Sequence, residues 1–342
     1  MTEQAKYTKE LSKLLFHSSN ILCICHINPD GDAIGSLLAL YHYLESKGIR
    51  AEMLSPNNLQ EFLKWMDGVE KINIYTNDRK KCRKLIQDAD LIVMFDFNHS
   101  DRLGEAEKYV LDSKAIKVII DHHLDSQNFT DLLISDITKS STSELIYEII
   151  QEVNGEKFLT KPFAEAVYVG IITDTGNFEH GAYSGNTFRI LAGMFDFGIE
   201  RDRIFNLVYN NFSSDRLRLR GLALDRRMVV LSEYNTAYIY LTKADLAQYN
   251  YKKGDTEGFV NMPLSIKGIV FTALFVEKEG FVKLSFRSKG SFSVNDFAKT
   301  HFKGGGHLNA AGGDHYDTLE NTIEFFRKVL STDFPKKSEL DK

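Results

Sequence analysis

Four short segments of this chain are apolar at nearly every position: ILCICH (21–26), RAEMLS (50–55), LIVMFDF (91–97) and KVIIDHH (117–123). A strand with one face in water alternates apolar and polar residues, so runs without alternation point to a sheet covered on both faces, hence a parallel one. Between the runs lie helical patterns such as AIGSLLALYHYLESKG (33–48), which ends on Gly48 in the usual capping position. Strand and helix alternating through the first half of the chain predict an α/β domain with a doubly wound, mainly parallel sheet.

Three helices are expected next. Ser141 and Glu144 form a capping-box pattern before LIYEIIQEV (145–153), Thr160-Lys161-Pro162 opens a second helix, and a third runs over 185–196 before Gly198. Residues 201–228 read as a helical connector. Strands follow in AYIYLT (237–242), GIVFTALFVE (268–277) and FVKLSFRSKG (281–290), with helices near 293–300 and 318–330. The expected organisation is a catalytic α/β domain over 1–200, the connector over 201–228, and a smaller mixed α+β domain over 229–342. A length of 342 residues agrees with two domains.

Net charge is −5, so no chain-wide basic field exists to hold long nucleic acid by counterion release, whereas a small anion needs only local positive charge. Three cysteines (Cys23, Cys25 and Cys82) do not make a disulfide framework and fit a reducing compartment. The N-terminal segment lacks the apolar core of a signal peptide, and no uninterrupted apolar run reaches about 18 residues. The expectation is a cytoplasmic protein without a membrane partner; a homodimer is left open.

In open α/β sheets ligands bind beyond the carboxyl ends of the strands. The first strand here runs into His26-Ile27-Asn28-Pro29-Asp30-Gly31-Asp32, the third ends at Asp96, and the fourth at Asp121-His122-His123. Asp174, in GIITDTGNF (170–178), follows an apolar helix. A lone Asp-x-Asp is usually a turn, and a lone His-His pair is usually surface or core. Together at successive strand ends they can converge on one edge, and so many carboxylates would repel one another without cations. Imidazole and carboxylate without thiolate suit Mn²⁺ first, then Mg²⁺, with Zn²⁺ or Co²⁺ as substitutes. Six ligands exceed what one open ion needs; two ions about 3.5–4 Å apart would use them and favour displacement at phosphorus. Asp121 is the exception, read as a residue that orients a ligating His.

A second site-like run is Lys303-Gly304-Gly305-Gly306-His307-Leu308-Asn309, where backbone amides can turn toward an anion, with Arg287-Ser288 at the end of a strand. Arginine suits bidentate phosphate binding. Cys23 and Cys25 are read as core, and Lys80, Lys81, Arg83 and Lys84 as a solvated helix face.

These motifs resemble those of the DHH phosphoesterase superfamily. HINPDGDAIGS (26–36), Asp96 with Arg102-Leu103-Gly104, Asp121-His122-His123, GIITDTGNF, and FRSKG (286–290) with GGGHLNAAGG (304–313) match in order along nearly the whole chain. Within the superfamily the chain most resembles the NrnA-type oligoribonucleases, which trim very short RNA and dephosphorylate 3′-phosphoadenosine 5′-phosphate (pAp). The resemblance implies that His26, Asp30 and Asp96 bind one Mn²⁺, and Asp32, Asp96, His122 and Asp174 the other, with Asp96 bridging. It implies that His123 contacts the scissile phosphate. Arg102, Arg287, Ser288, Gly304, Gly305, Gly306, His307 and Asn309 would hold the rest of the substrate. Leu308 and Asn309 stand where the family often has a basic residue after the GGGH histidine.

The expected function is Mn²⁺-dependent hydrolysis of short oligoribonucleotides and pAp. The rivals are a linear or cyclic dinucleotide phosphodiesterase and an inorganic pyrophosphatase or exopolyphosphatase. A nucleotide-binding regulator without catalysis would lack a metal ligand, and none is missing here.

Overall fold

In the computed structural model, which describes residues 3–124, 127, 129–155, 157–179, 181–306 and 308–333, the chain forms two units that divide between Asn211 and Phe212. The first contains α1 (Glu3–His17), β1 (Ile21–Cys25), α2 (Gly31–Ser46), β2 (Ala51–Ser55), β3 (Asn73–Ile74), α3 (Arg79–Asp88) and β4 (Leu91–Phe95). It continues through α4 (Glu107–Asp112), β5 (Ile116–Asp121), β6 (Leu132–Ser135), α5 (Thr142–Asn154), α6 (Lys161–Asp174), α7 (Gly185–Asp196) and α8 (Arg201–Tyr209).

Six strands pair in the order β3-β2-β1-β4-β5-β6, every pair parallel. Both faces are covered, as the unbroken apolar runs require. Cys23, Cys25, Val93, Phe95, Val118 and Ile120 pack with α1, α2, α5 and α6 on one side. Their neighbours Leu22, Ile24, Ile92, Met94 and Ile119 pack with α3 and α4 on the other. Chain order reverses between β1 and β4, which opens a crevice at their carboxyl ends. The α2 helix is buried along almost its whole length and lies against α6. Their close approach requires glycine: a Cβ on Gly35 would meet the Ala166 carbonyl oxygen at 2.6 Å.

The second unit contains α9 (Ser214–Asp225), β7 (Met228–Leu231), β8 (Thr236–Leu241), α10 (Lys243–Gln248), β9 (Phe271–Glu277) and β10 (Val282–Ser288). After these come α11 (Val294–His301), β11 (Gly305–Gly306), β12 (Ala310–His315) and α12 (Leu319–Asp333). Its sheet runs β11-β12-β10-β9-β8-β7, with β8 and β9 parallel and the other pairs antiparallel. Phe271, Phe275 and Phe286 pack under α11 and α12, while Ile239, Leu241 and Leu274 pack on the opposite face with α9. The glycine run is partly sheet, because Gly305 and Gly306 pair with Gly312 and Ala311. No helix among the described residues is long and apolar enough to cross a membrane.

Candidate active site

The crevice at the end of β1 and β4 gathers the His and Asp residues of four separate segments. His26 follows β1, and Asp30 is the N-cap of α2, its Oδ1 accepting from the amides of Asp32 and Ala33 at 3.1 and 3.0 Å. Asp32 therefore sits in the first turn of a buried helix, its side chain wholly inside. Asp96 follows β4 with a left-handed backbone (φ 66°) and keeps its amide on the Ile120 carbonyl at 3.1 Å. Such a conformation is uncommon outside glycine, though Asp tolerates it, and here it occurs at a site where carboxylates meet. Asp121 closes β5, His122 and His123 follow it, and Asp174 is the last residue of α6.

Two donor clusters result, His26 with Asp30 and Asp96, and Asp32 with His122 and Asp174, each with ligand atoms within 4.8 Å of one another. Asp96, His122 and His123 form a third grouping on the same criterion, so Asp96 lies between the sets. Its Oδ2 is 3.6 Å from His26 Nε2, and its Oδ1 is 3.6 Å from His122 Nε2. His122 Nε2 is also 3.4 Å from Asp174 and 3.9 Å from Asp32. These distances exceed hydrogen bonds, yet two bonds of about 2.0–2.2 Å to a shared ion reach across them. Burial and the charges of Asp32, Asp30 and Asp174 hold the Asp96 carboxyl well above the usual carboxylate range. Positive charge would relieve that penalty, so the donor set and its electrostatics fit divalent cations.

The imidazoles are oriented from behind. His122 Nδ1 donates to the Lys139 carbonyl at 3.3 Å and His26 Nδ1 to the Ile27 carbonyl at 2.8 Å, which leaves each Nε2 lone pair facing the carboxylates. Arg102 Nη2 lies 3.0 Å from that same His26 nitrogen. A guanidinium can only donate, so with Nδ1 protonated this is a contact and not a hydrogen bond. Arg102 is exposed beside the cluster, which suits a phosphate contact.

Asp121 was expected to orient a ligating histidine, and its partner is His123, with Nδ1 at 2.6 Å from Oδ1. Burial raises the Asp121 carboxyl, but the hydrogen bond from His123 and the charges of His123 and His122 outweigh it and leave it below its ordinary value. The carboxylate accepts from Nδ1 of His123 and so favours the tautomer with the proton on that nitrogen.

Residues that motif reading passed over hold the carboxylates in place. The first amides of α5 chelate Asp32, Thr142 N to Oδ2 at 2.6 Å and Ser143 N to Oδ1 at 2.9 Å. Ser36 lies 3.0 Å from the Ser143 hydroxyl. Gly170 on α6 makes room for this, because a Cβ there would stand 1.9 Å from Ser143 Oγ and 2.8 Å from Asp32 Oδ1. The signal in the sequence was the Ser141/Glu144 pattern, which marked a helix start without revealing what its amides face. Only half of the capping box forms: Ser141 Oγ accepts from the Glu144 amide, while the Glu144 carboxylate turns to Ser140.

The second unit places the remaining expected residues near the end of β10. Arg287 is half-buried, donates from Nη1 to the Phe286 carbonyl at 2.9 Å, and has a buried Nε without a partner among the described residues. Burial lowers its pKa, and none of the ion pairs among the described residues involves it. Ser288 donates to the Phe292 carbonyl at 2.7 Å, and Asn309 Nδ2 donates to Ser288 Oγ and the Gly290 carbonyl at 2.8 and 3.0 Å. Their protons are spent within the unit. So are two glycine amides, Gly304 N on the Ala298 carbonyl and Gly306 N on Asn295 Oδ1. Gly304 and Gly306 answer to close backbone packing, since a Cβ on either would fall within 2.3 Å of a carbonyl oxygen of β12. A Cβ on Gly305 would meet nothing nearer than 3.5 Å. His307 lies outside the described residues.

Cys23 and Cys25 are buried in the core with thiols pushed up to about 12, as expected of packing residues.

Comparison with known proteins agrees with this layout. Residues 20–171 match the DHH family, N-terminal domain, and residues 234–332 match the DHHA1 domain. The chain is 27% identical over 309 residues to the bifunctional oligoribonuclease and PAP phosphatase NrnA of Bacillus subtilis, covering 90% of this chain and 93% of that one. The protein of the same name from Thermus thermophilus is 28% identical over 316 residues, covering 90% and 89%. A crystal structure of an exopolyphosphatase-related protein from Bacteroides fragilis superposes with a TM-score of 0.93 at 39% identity, over 97% of this chain and 98% of that one.

Proposed function

The chain belongs to the DHH family and is a phosphate-ester hydrolase, and from that premise we propose that it hydrolyses short oligoribonucleotides to mononucleotides and pAp to AMP, using two Mn²⁺ ions, in the cytoplasm. The observation that carries the reading is the pair of donor clusters with Asp96 between them. His26, Asp30 and Asp96 would hold one ion, and Asp32, His122 and Asp174 with Asp96 the other; Mg²⁺ or Co²⁺ could substitute. Bound there, the ions supply a water made nucleophilic at neutral pH and positive charge beside the entering and leaving oxygens.

The protein's own groups do the rest. Asp121 orients His123 through Nδ1, and Nε2, once protonated, would give its proton to the leaving oxygen. Arg102 and Arg287 would take phosphate oxygens, and Arg287 has a donor that nothing among the described residues uses. A net charge of −5 gives no long-range pull on a long polyanion, which favours a short substrate. Three free, buried cysteines fit a reducing compartment.

A panel with Mn²⁺ tests the reading: pAp, oligoribonucleotides of increasing length, cyclic dinucleotides, pyrophosphate and polyphosphate. Turnover of pAp and of the shortest RNAs, weakening with length, is expected. Polyphosphate is the second reading, favoured by the name of the Bacteroides fragilis neighbour, and preferential turnover of it would replace the first.

A further inference from the structure

Thr142 is where the two ligand sets meet. Its amide donates to Asp32 Oδ2 at 2.6 Å, its hydroxyl to Asp96 Oδ1 at 3.0 Å, and the residue is wholly buried. A hydroxyl residue at the start of a helix is ordinarily explained as a cap. Here the cap is Ser141, whose Oγ accepts from the Glu144 amide at 3.0 Å, so α5 does not need the Thr142 hydroxyl.

Asp96 does need it. The terminal torsion of an aspartate is broad and roughly two-fold, so the backbone alone does not decide which oxygen faces which cluster. Among the described residues, Thr142 Oγ1 is the one hydrogen-bond donor to this carboxylate; the nearest imidazole nitrogens stand at 3.6 Å. The two clusters also differ in rigidity. The His122 cluster uses Asp32, with both oxygens on α5 amides, and the oxygen of Asp96 that Thr142 holds. The His26 cluster uses Asp30, held through Oδ1 alone by the Asp32 and Ala33 amides and with its side chain 52% exposed, and the other oxygen of Asp96.

We propose that Thr142 is a positioning residue: its hydroxyl fixes the rotation of the Asp96 carboxylate and makes the two ion positions unequal, the His122 position being the tighter and the one that depends on it. The inference rests on the two-ion reading above. A β-branched side chain suits the task, because its stiff χ1 holds the hydroxyl on target.

Calorimetric Mn²⁺ titration of the metal-free full chain tests this, alongside its melting temperature without metal. The wild type should bind two Mn²⁺ in unequal steps. Thr142→Val keeps the shape and removes the donor, and should weaken the tight step by about 10–100-fold, the usual effect of losing a group that orients a ligand, with the second step changed far less. Thr142→Ser should restore the tight step to within about threefold of wild type. Both steps unchanged in Thr142→Val, both weakened equally, or Thr142→Ser as weak as Thr142→Val would each overturn the proposal. Should Thr142→Val fail to fold, Thr142→Ala against Thr142→Ser makes the same comparison. A wild type that binds fewer than two Mn²⁺ defeats the two-ion reading itself.

Discussion

Gly170→Ala puts one methyl group where the fold has no space for it. The new Cβ would stand 1.9 Å from Ser143 Oγ, 2.5 Å from Ser143 Cβ and 2.8 Å from Asp32 Oδ1. Non-bonded carbons settle at about 3.5–4.0 Å, so α6, Ser143 or the Asp32 carboxylate must yield by roughly 1 Å. Overpacking of this kind costs about 1–3 kcal/mol. Against it, replacing glycine by alanine in a helix interior returns about 1 kcal/mol. The net loss of about 0–2 kcal/mol lowers the melting temperature by at most about 8 °C, at roughly 2–4 °C per kcal/mol for a unit of this size. The fold should survive. Activity should suffer more, because a displacement of about 1 Å at reacting groups costs roughly 100-fold. Gly193→Ala is the matched control: it lies in α7 with nothing within 4 Å of its Cβ. It should gain up to about 1 kcal/mol from helix propensity, a rise of roughly 2–4 °C, at unchanged activity. The assays are thermal melting, Mn²⁺ titration and turnover of pAp. A Gly170→Ala enzyme within about threefold of wild type in kcat/KM and metal affinity would refute the argument that this glycine holds Asp32 in place.

Three further outcomes are expected. Excess chelator should abolish turnover and Mn²⁺ should restore it better than Mg²⁺, while Asp96→Ala should lose both ions in a metal-content measurement; activity surviving chelation counts against the two-ion site. Arg287→Ala should raise KM by about 10–150-fold, the equivalent of about 1.5–3 kcal/mol for a charge-assisted contact, with metal content unchanged; an unaltered KM on every substrate removes Arg287 from the binding surface. Burial raises the Asp245 carboxyl, but the Arg227 guanidinium at 2.8 Å and the Thr242 amide and hydroxyl outweigh it, so its folded pKa lies below the ordinary 3.8. That stability is present above the unfolded value and lost as pH falls through the folded one, so the melting advantage of wild type over Asp245→Asn should shrink below about pH 4. A constant difference down to pH 3 would show that Asp245 is not the group titrating.

The parts of the fold that were legible have local causes. The four apolar runs became β1, β2, β4 and β5 because continuous apolarity is a property of each segment, and Ser141, Thr160 and Gly198 marked helix limits by local chemistry. In the first sheet the two edge strands were missed because they are short, β3 with two residues and β6 with four. The β12 segment, AAGGDH, carries no strand-forming side chains and becomes a strand only because β10 lies beside it. Residues 201–228 read as one connector, yet α8 belongs with the first unit and α9 with the second.

The sequence by itself determined the kinds of element and which His and Asp residues were candidate ligands, since both follow from residue type and from position at the ends of strands and of one helix. Tertiary structure alone decided the strand order that brings β1 beside β4, and hence which histidine faces which carboxylate. It also decided that Asp121 serves His123, and that Thr142 and Ser143 grip an aspartate more than a hundred residues away. It reassigned the glycines too, Gly170 to room for Ser143, and Gly304 and Gly306 to close packing against β12. The reason is physical: residue chemistry and periodicity are written locally, whereas a hydrogen bond between distant segments exists only after the core has packed them together.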